Sequence, residues 1–452
     1  MSKLAFLTQP GTAEGQVAFT PAIRVALQDA SGQTVTTASG SVTVRLAVNP
    51  AGATLAGTTT VTAVNGIATF DDLSLELPGD GFVLEAQSAG LLPVVTTSFS
   101  ARLTLVQSSV GTSHSCAVTV AGFAYCWGGN GSGLLGHGTL EQQREKPTPV
   151  AGGLRFAEVS VGAVHTCGVT SDNLAYCWGD NDNGQLGDGS TTDRAVPSVV
   201  TGGLPFKHVS AGLVHTCGVT TTGAAYCWGF NGNGQGGNGG RGQNPTPTPV
   251  TGGLTFEHVS AGGSHSCGIT TAHVAYCWGD NSGGQLGDHT TDSHLAPTPV
   301  SGGLAFAQVS AGGIHTCGVT TASVAYCWGF NNHGQVGDGT TILRDVPTLI
   351  MAGTSVVQVS AGHVYSCGVT ASHAAYCWGM NFDGQLGDGT TIRRETPTPV
   401  SGGLTFAQVS ARNAHTCGTT TGSIAYCWGV NSLGQLGDGT TGSSFTPVRV
   451  AQ

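Results

Sequence analysis

The sequence predicts an all-β protein, a seven-bladed β-propeller over residues 101–452 preceded by a β-sandwich over residues 1–100. Three observations carry that prediction. A unit of fifty residues (fifty-one at the first step) recurs seven times between residues 102 and 450. Each copy contains four short strand-like runs separated by Gly, Asn and Asp turns. Each copy also contains one cysteine pair spaced C-x9-C, and no cysteine is left over.

Residues 1–100 lie outside the repeat and lack cysteine and tryptophan. Runs such as IRVALQD, SVTVRLAV and GFVLEAQ alternate apolar and polar side chains, the period of a half-buried strand. Asn65-Gly66, between TTVTAV and IATF, is a pair that favours a two-residue hairpin turn. Roughly seven such strands over this length predict an immunoglobulin-like sandwich. The stretch SFSARLTLV then enters the repeats with almost no linker.

Residues 302–350 represent the repeat, with strand-like runs FAQVS, HTCGVT, VAYCWG and VPTLI. Self-similarity at this period means that neighbouring units complete one another's core. Four short strands per unit match the four-stranded blade of a propeller. Helical periodicity is absent and glycine fills 73 of 452 positions, which excludes an α-solenoid. Both ends of the repeat region carry full copies, so the sequence leaves open whether a strand is exchanged on ring closure.

Seven disulfides are expected, one per copy: Cys116 with Cys126, Cys167 with Cys177, Cys217 with Cys227, Cys267 with Cys277, Cys317 with Cys327, Cys367 with Cys377, and Cys417 with Cys427. If HTCGVT and VAYCWG form a hairpin with a three-residue loop, Cys317 and Cys327 stand opposite one another. Opposed Cβ atoms lie ~4.5–5.5 Å apart, close to disulfide geometry. Free buried thiols are the bland alternative; a metal site lacks the short C-x2-4-C spacing and matching histidine pairs. Oxidised structural cysteines imply an extracellular, periplasmic or cell-surface protein. In AYCWG, alternation sends Tyr326 and Trp328 to one face and Cys327 to the other, the face that Cys317 and His315 share. Stacked blades therefore set a Tyr/Trp surface against a neighbour's Cys/His surface. All seven tryptophans occupy this one position, as packing residues would.

Charged residues make up 9% of the chain and the net charge is −10, which argues against nucleic acid or an anionic membrane as partner. No apolar run approaches the ~20 residues of a spanning helix. Strand-like sequence begins at Lys3, so a secreted form would have lost its leader ahead of Met1. No G-x-S-x-G, HExxH or phosphate-binding loop is present and acidic residues are scattered singly, so neither catalysis nor a cofactor is expected.

Four features are candidate sites. His114, His165, His215, His265, His315 and His415 precede the first cysteine of six pairs, with Tyr365 in the sixth copy; a structural hydrogen bond between blades is expected of them rather than a shared metal. Asp180, Asp182 and Asp188 form a weak calcium candidate, lacking the closing Glu of a proper calcium loop. The segments between GDGTT and PTPV differ among copies and carry Arg144, Lys146, Arg194, Arg241, Arg344, Arg393 and Arg394. Equivalent loops of a propeller share one face, and loops on a rigid scaffold are where binding residues concentrate. Finally, Arg412 replaces a glycine present in the other six copies, and GQGGNGG at 234–240 has lost the Leu and Asp of its siblings.

The strings HTCGVT, AYCWGxN and GQLGDGT resemble the repeats of the regulator of chromosome condensation family, in its cysteine-paired bacterial form. That resemblance implies a seven-bladed propeller. The family spans a nucleotide exchange factor, a plant UV-B photoreceptor, a β-lactamase inhibitor protein and surface proteins, so fold does not decide function. KLAFLTQPGTAEG, VALQDASGQTV and NGIATFDDLSL resemble bacterial Ig-like domains of adhesins, which implies a stalk or spacer. The expectation is an extracellular, non-catalytic binding or structural protein whose loop face meets a protein or glycan, or other copies of the chain. A secreted inhibitor that caps an enzyme is the alternative, and a propeller hydrolase acting on glycans a third.

Overall fold

Among the described residues, strands account for every regular element except one 3-10 turn at Gly131–Gly133. The computed structural model describes residues 1–451. It divides into two compact units, Met1–Thr104 and Leu105–Val450.

In the first unit, Lys3–Phe6, Ile23–Gln28 and Ile67–Phe70 make a three-stranded sheet. A second sheet runs Ala13–Glu14, Phe99–Arg102, Gly79–Gln87, Ser41–Val48, Thr60–Thr62. Alternation puts Phe82, Leu84 and Ala86 inward from Gly79–Gln87, where they meet Val25, Leu27 and Phe70 of the other sheet in one core. Asn65 and Gly66 adopt positive φ of 53° and 78°, as a two-residue turn requires. The flanking segments nevertheless part after the single Val64–Ile67 bridge. Thr60–Thr62 pairs with Ser41–Val48 and Ile67–Phe70 with Ile23–Gln28, so the turn changes sheets instead of extending a hairpin.

The second unit is a seven-bladed propeller, each blade a four-stranded antiparallel sheet of consecutive strands. Blades 1 to 7 begin at Leu105, Phe156, Phe206, Phe256, Phe306, Val356 and Phe406. In blade 5 the strands are Phe306–Ala311, His315–Thr320, Ala325–Gly329 and Arg344–Leu349. No strand is exchanged on closure, which answers the question the sequence left open.

Cys317 faces Cys327 across a hairpin that Thr320 N–H closes onto Val324 O at 2.9 Å, leaving a three-residue loop. Its third residue, Ser323, has φ of 60° and bends the chain back into register. Every predicted pair is bonded inside its own blade. Cys116 joins Cys126 in blade 1, Cys167 joins Cys177 in blade 2, and Cys217 joins Cys227 in blade 3. Cys267 joins Cys277 in blade 4 and Cys317 joins Cys327 in blade 5. Cys367 joins Cys377 in blade 6, and Cys417 joins Cys427 in blade 7.

Repeat residues mainly join one blade to the next. Trp378 of blade 6 packs against Cys317, Cys327, Val319 and Val336 of blade 5, the face-to-face arrangement expected from alternation. Its Nε1 donates to the Gln335 carbonyl at 2.9 Å. Gly337 lies beneath the indole: a Cβ there would stand 2.6 Å from Trp378 Nε1, at a backbone φ of +87°. The histidines form a closed circuit. His114, His165, His215, His265 and His315 each place Nε2 2.7–2.9 Å from a Thr or Ser hydroxyl of the next blade. Tyr365 reaches Thr416 at 2.9 Å, and His415 closes the ring on Ser115 at 2.9 Å. Those hydroxyls donate to carbonyls such as Gln285 O and Gln435 O, so they accept from the imidazole N–H. The opposite ring nitrogen, Nδ1, is buried without a partner in all six histidines. Burial pushes His114, His215, His315 and His415 down to about 3 and His265 to about 4, so the ring is neutral.

Candidate binding face

The turn from first to second strand and the loop from third to fourth strand lie at the same end of each blade. Phe330 N–H, which opens the long loop of blade 5, donates to Ile314 O in the short turn at 3.0 Å. The variable loops therefore encircle one mouth of the central channel.

A buried asparagine organises each long loop. In blade 5 Asn331 Oδ1 accepts from Val336 N–H at 2.9 Å, while Nδ2 donates to Asp338, Thr340 O and Ile342 O at 3.0–3.3 Å. Asp338 in turn accepts from Thr340 N–H at 3.0 Å and its hydroxyl at 2.8 Å, and from Arg344 at 2.6 Å. Burial opposes its charge, but these donors outweigh it and hold the carboxyl below its ordinary value. The GQLGDGT signature is thus a clip that folds the loop and holds the next blade. Blade 3 departs from it: Gly236 leaves no apolar plug, and Asn238 accepts from Asn231 and Gly240 N–H without an ion pair.

The predicted basic residues separate by role. Arg194, Arg344 and Arg394 are pinned to Asp188, Asp338 and Asp388 at 2.8, 2.6 and 2.8 Å, as His294 is to Asp288 at 2.8 Å. Each of these pairs ties the start of a fourth strand to its own loop, and the three arginines remain partly exposed. Arg144 pairs with Glu141 at 2.5 Å, Arg393 with Glu395 at 2.8 Å, and Arg241 donates to Gly232 O at 2.7 Å. Lys146 is exposed. Arg412 sits in the channel mouth at the centre of this face, outside the loop ring.

Asp180, Asp182 and Asp188 do not form a cation cage. Asp188 turns to Ser190 and Arg194, while Asp180 accepts from Asp182 N–H and Gln185. Burial, then Asp193, raises the Asp180 carboxyl. Among the described residues no three His, Cys, Asp or Glu side chains are placed to hold a metal ion.

Two features escape a reading of the sequence. The long loops and one fourth strand carry exposed apolar side chains: Leu140, Ile342, Phe382 and Ile392 on loops and Phe445 at the start of Ser444–Arg449 are 71, 62, 64, 61 and 44% exposed. They belong to blades 5, 6, 7 and 1, which are neighbours in the ring. All but Phe382 lie inside the variable segments, where charge is the more visible signal. The second is a ring of amides inside the channel. Gln308 Nε2 donates to Val359 O at 3.1 Å and its Oε1 accepts from Val359 N–H at 2.9 Å, a side-chain copy of a β-bridge. Gln107 and Gln358 reach the next blade in the same way, and Gln408 donates to Ser108 O at 2.9 Å. Glu158, His208 and His258 replace the amide in blades 2, 3 and 4. His208 bonds Glu158 at 2.9 Å and Val259 O at 2.9 Å, and stacks on His258 at 4.2 Å. Burial opposes its charge, but Glu158 and the carbonyl prevail and raise its pKa; burial and His208 push His258 well down. The column reading Gln, Glu, His, His, Gln, Gln, Gln was the available signal.

With this geometry, similarity to known proteins is informative. Human E3 ubiquitin-protein ligase HERC2 is 40% identical over 91 residues, 20% of this chain and 2% of that protein. The ultraviolet-B receptor UVR8 of Arabidopsis thaliana is 41% identical over 91 residues, 20% of this chain and 21% of the receptor. The chain thus spans only a small part of the length of these two relatives. Human WBSCR16 superimposes with a TM-score of 0.66 at 19% identity, over 74% of this chain and 92% of its own. Prp20p of Saccharomyces cerevisiae gives 0.66 at 20% identity, over 74% and 87%. Both establish the fold. Residues 121–169 match the regulator of chromosome condensation (RCC1) repeat. Residues 152–452 match the RCC1-like domain, and the chain belongs to that family of β-propellers.

Proposed function

We propose that the protein is a non-catalytic extracellular binding protein. Its propeller presents the loop face to a protein partner, and its first unit serves as an immunoglobulin-like spacer. One observation carries this reading. The repeated side chains are spent on joining blades, whereas the adjacent tips of blades 5, 6, 7 and 1 hold exposed apolar groups on a rigid frame. Grouped apolar side chains on a loop-bearing face suit a protein contact. Seven disulfides and no free cysteine support an oxidising compartment, and no helix of the described residues is long and apolar enough to cross a membrane. Two sheets around one core support the spacer reading of the first unit.

The test compares the wild-type chain with a variant carrying Leu140→Ser, Ile342→Ser, Phe382→Ser, Ile392→Ser and Phe445→Ser. Both are presented to the secreted proteins of the source cells, and sedimentation velocity reports self-association. A complex lost only in the variant, at unchanged melting temperature, supports the loop face. Equal complexes with both proteins, or none with either, would sink it.

A further inference from the structure

Blade 7 departs from the repeat where it meets the channel, and blade 6 departs with it. In blades 1 to 6 the first residue of the channel turn is a glycine whose N–H donates to the carbonyl of the His or Tyr three residues on, as Gly312 does to His315 O at 2.8 Å. In blade 7 that residue is Arg412, and the Tyr365 hydroxyl of blade 6 enters the turn. It accepts from Arg412 N–H at 3.2 Å and donates to His415 O at 2.7 Å. The one arginine and the one tyrosine that break their columns thus form a single device. It sets the Arg412 side chain into a cavity of about 180 Å3 at the loop-bearing mouth.

The guanidinium crosses the channel and donates one bond, to Ala211 O of blade 3 at 3.2 Å. A guanidinium has five N–H donors, and among the described residues no carboxylate pairs with this one. Burial without a counter-charge lowers its pKa to about 10, which leaves it cationic at neutral pH. Polar side chains flank it on one side only. His363, Asn413 and Thr112, from blades 6, 7 and 1, line the cavity, and none bonds to another side chain among the described residues. The facing wall is apolar Leu213 with Gly263 and Gly313, whose N–H groups are already engaged at 2.9–3.0 Å with carbonyls of the next blade. A fixed cation, free donors beside it and a wall without polar side chains opposite describe a receptor for a small anion.

We propose that this mouth is a carboxylate-binding site, in which Arg412 grips the anion as a fork and Asn413, Thr112 and His363 supply further hydrogen bonds. A single guanidinium balances one negative charge, and its planar fork matches a carboxylate. The cavity has the volume of about six waters, room for a small aliphatic acid or one acidic side chain or chain terminus. The site stands on its own residues and does not depend on the apolar loop tips.

The experiment is ligand-observed NMR of the full chain with sodium acetate and sodium glutarate at constant ionic strength. Wild type is compared with Arg412→Gly, which installs the residue of the other six blades, and with Arg412→Gln and Arg412→Lys. Millimolar binding by the wild type, weakened at least tenfold in the Gly and Gln variants and less in the Lys variant, supports the site. A further arm uses a short peptide with a free C-terminal carboxylate and its amidated twin. Binding of the acid form alone, while acetate and glutarate fail, would still support the site and assign the carboxylate to a protein partner. If no carboxylate binds, or if the Gly and Gln variants bind as tightly as wild type, the proposal is overturned. Folding of each variant is checked by tryptophan fluorescence, and Arg412→Gln carries the comparison should Arg412→Gly not fold.

Discussion

Six buried, neutral histidines in one ring make the propeller acid-sensitive, by an amount the structure allows to be worked out. Each histidine of the ring is fully or almost fully buried, with the hydroxyl of the next blade accepting its only N–H. Burial holds their pKa values at about 3 to 4 or well below the ordinary value. The sign follows: below about pH 6.5 the unfolded chain takes up protons that the folded ring refuses, so stability falls as the pH falls. At pH 5 each site costs about 2 kcal/mol relative to pH 7.4, a figure set almost wholly by the unfolded pKa. Six sites cost about 12 kcal/mol together. His258 adds to the loss, and His208, whose pKa is raised, opposes it. The assay is guanidinium unfolding with disulfides intact, followed by tryptophan fluorescence, because all seven tryptophans lie in the propeller. His315→Gln keeps an N–H donor for Ser366 but cannot titrate, and should recover about 2 kcal/mol of the loss. A stability unchanged from pH 7.4 to pH 5, or a His315→Gln profile parallel to wild type, would refute the neutral ring.

Three further outcomes follow from single contacts. Asp338→Ala removes acceptors from Asn331, Thr340 and Arg344; it should cost about 2–3 kcal/mol at neutral pH and open the loop to proteolysis. Because that carboxyl sits below its ordinary pKa, its contribution holds above about pH 4 and fades only as the pH falls through the folded value. Trp328 donates to Gln285 O at 3.0 Å, whereas Trp228 Nε1 has no partner. Calorimetry should therefore find Trp328→Phe costlier than Trp228→Phe by about 1 kcal/mol. Replacing Cys317 and Cys327 together by serine should cost about 2–3 kcal/mol, as expected for a short closed loop, with the other twelve cysteines still resistant to alkylation without reductant.

The architecture was legible because the fold is written seven times. Repeated positions are those that meet an identical neighbour, so the period, the opposed cysteines and the two faces of AYCWG determined the blade and its stacking. The binding face was less legible. Arg194, Arg344 and Arg394 invited reading as contacts because they stand in variable segments, yet each opens a fourth strand within reach of the buried aspartate of its own loop. Ile342, Phe382 and Phe445 carry no chemical signature, and their exposure depends on the loop path that Asn331 and its equivalents set. Glu158, His208 and His258 stand fifty residues apart in sequence and become neighbours only once the first strands line the channel. Within Met1–Thr104, the Asn-Gly turn was visible but its sheet change was not, since that depends on which partner each flanking strand finds.

Ring closure gives the most exposed test of the account. Every disulfide lies within a blade, so no covalent bond staples the first blade to the last. The closing junction repeats three contacts of the others: His415 meets Ser115 at 2.9 Å, Trp127 donates to Gln435 O at 3.0 Å, and Gly439 N–H donates to Glu145 O at 2.9 Å. The two ends of the ring are also neighbours, because Leu105 N–H bonds Ser423 O at 2.9 Å and Val450 N–H bonds Ala425 O at 3.0 Å. An internal junction uses the same two anchors, Phe306 on His273 O and Val300 on Ala275 O, with residues 301–305 spanning the gap. A propeller of residues 105–450 can therefore be permuted: SGGLA joins 450 to 105, and the chain is opened between exposed Gly302 and Gly303. If the closing junction is worth as much as the internal one that is opened, the permutant exchanges one loop for an equal one and unfolds within about 1 kcal/mol of the parent. A loss above about 3 kcal/mol, beyond what loop closure explains, would show that the first and last blades are joined by something the other junctions lack.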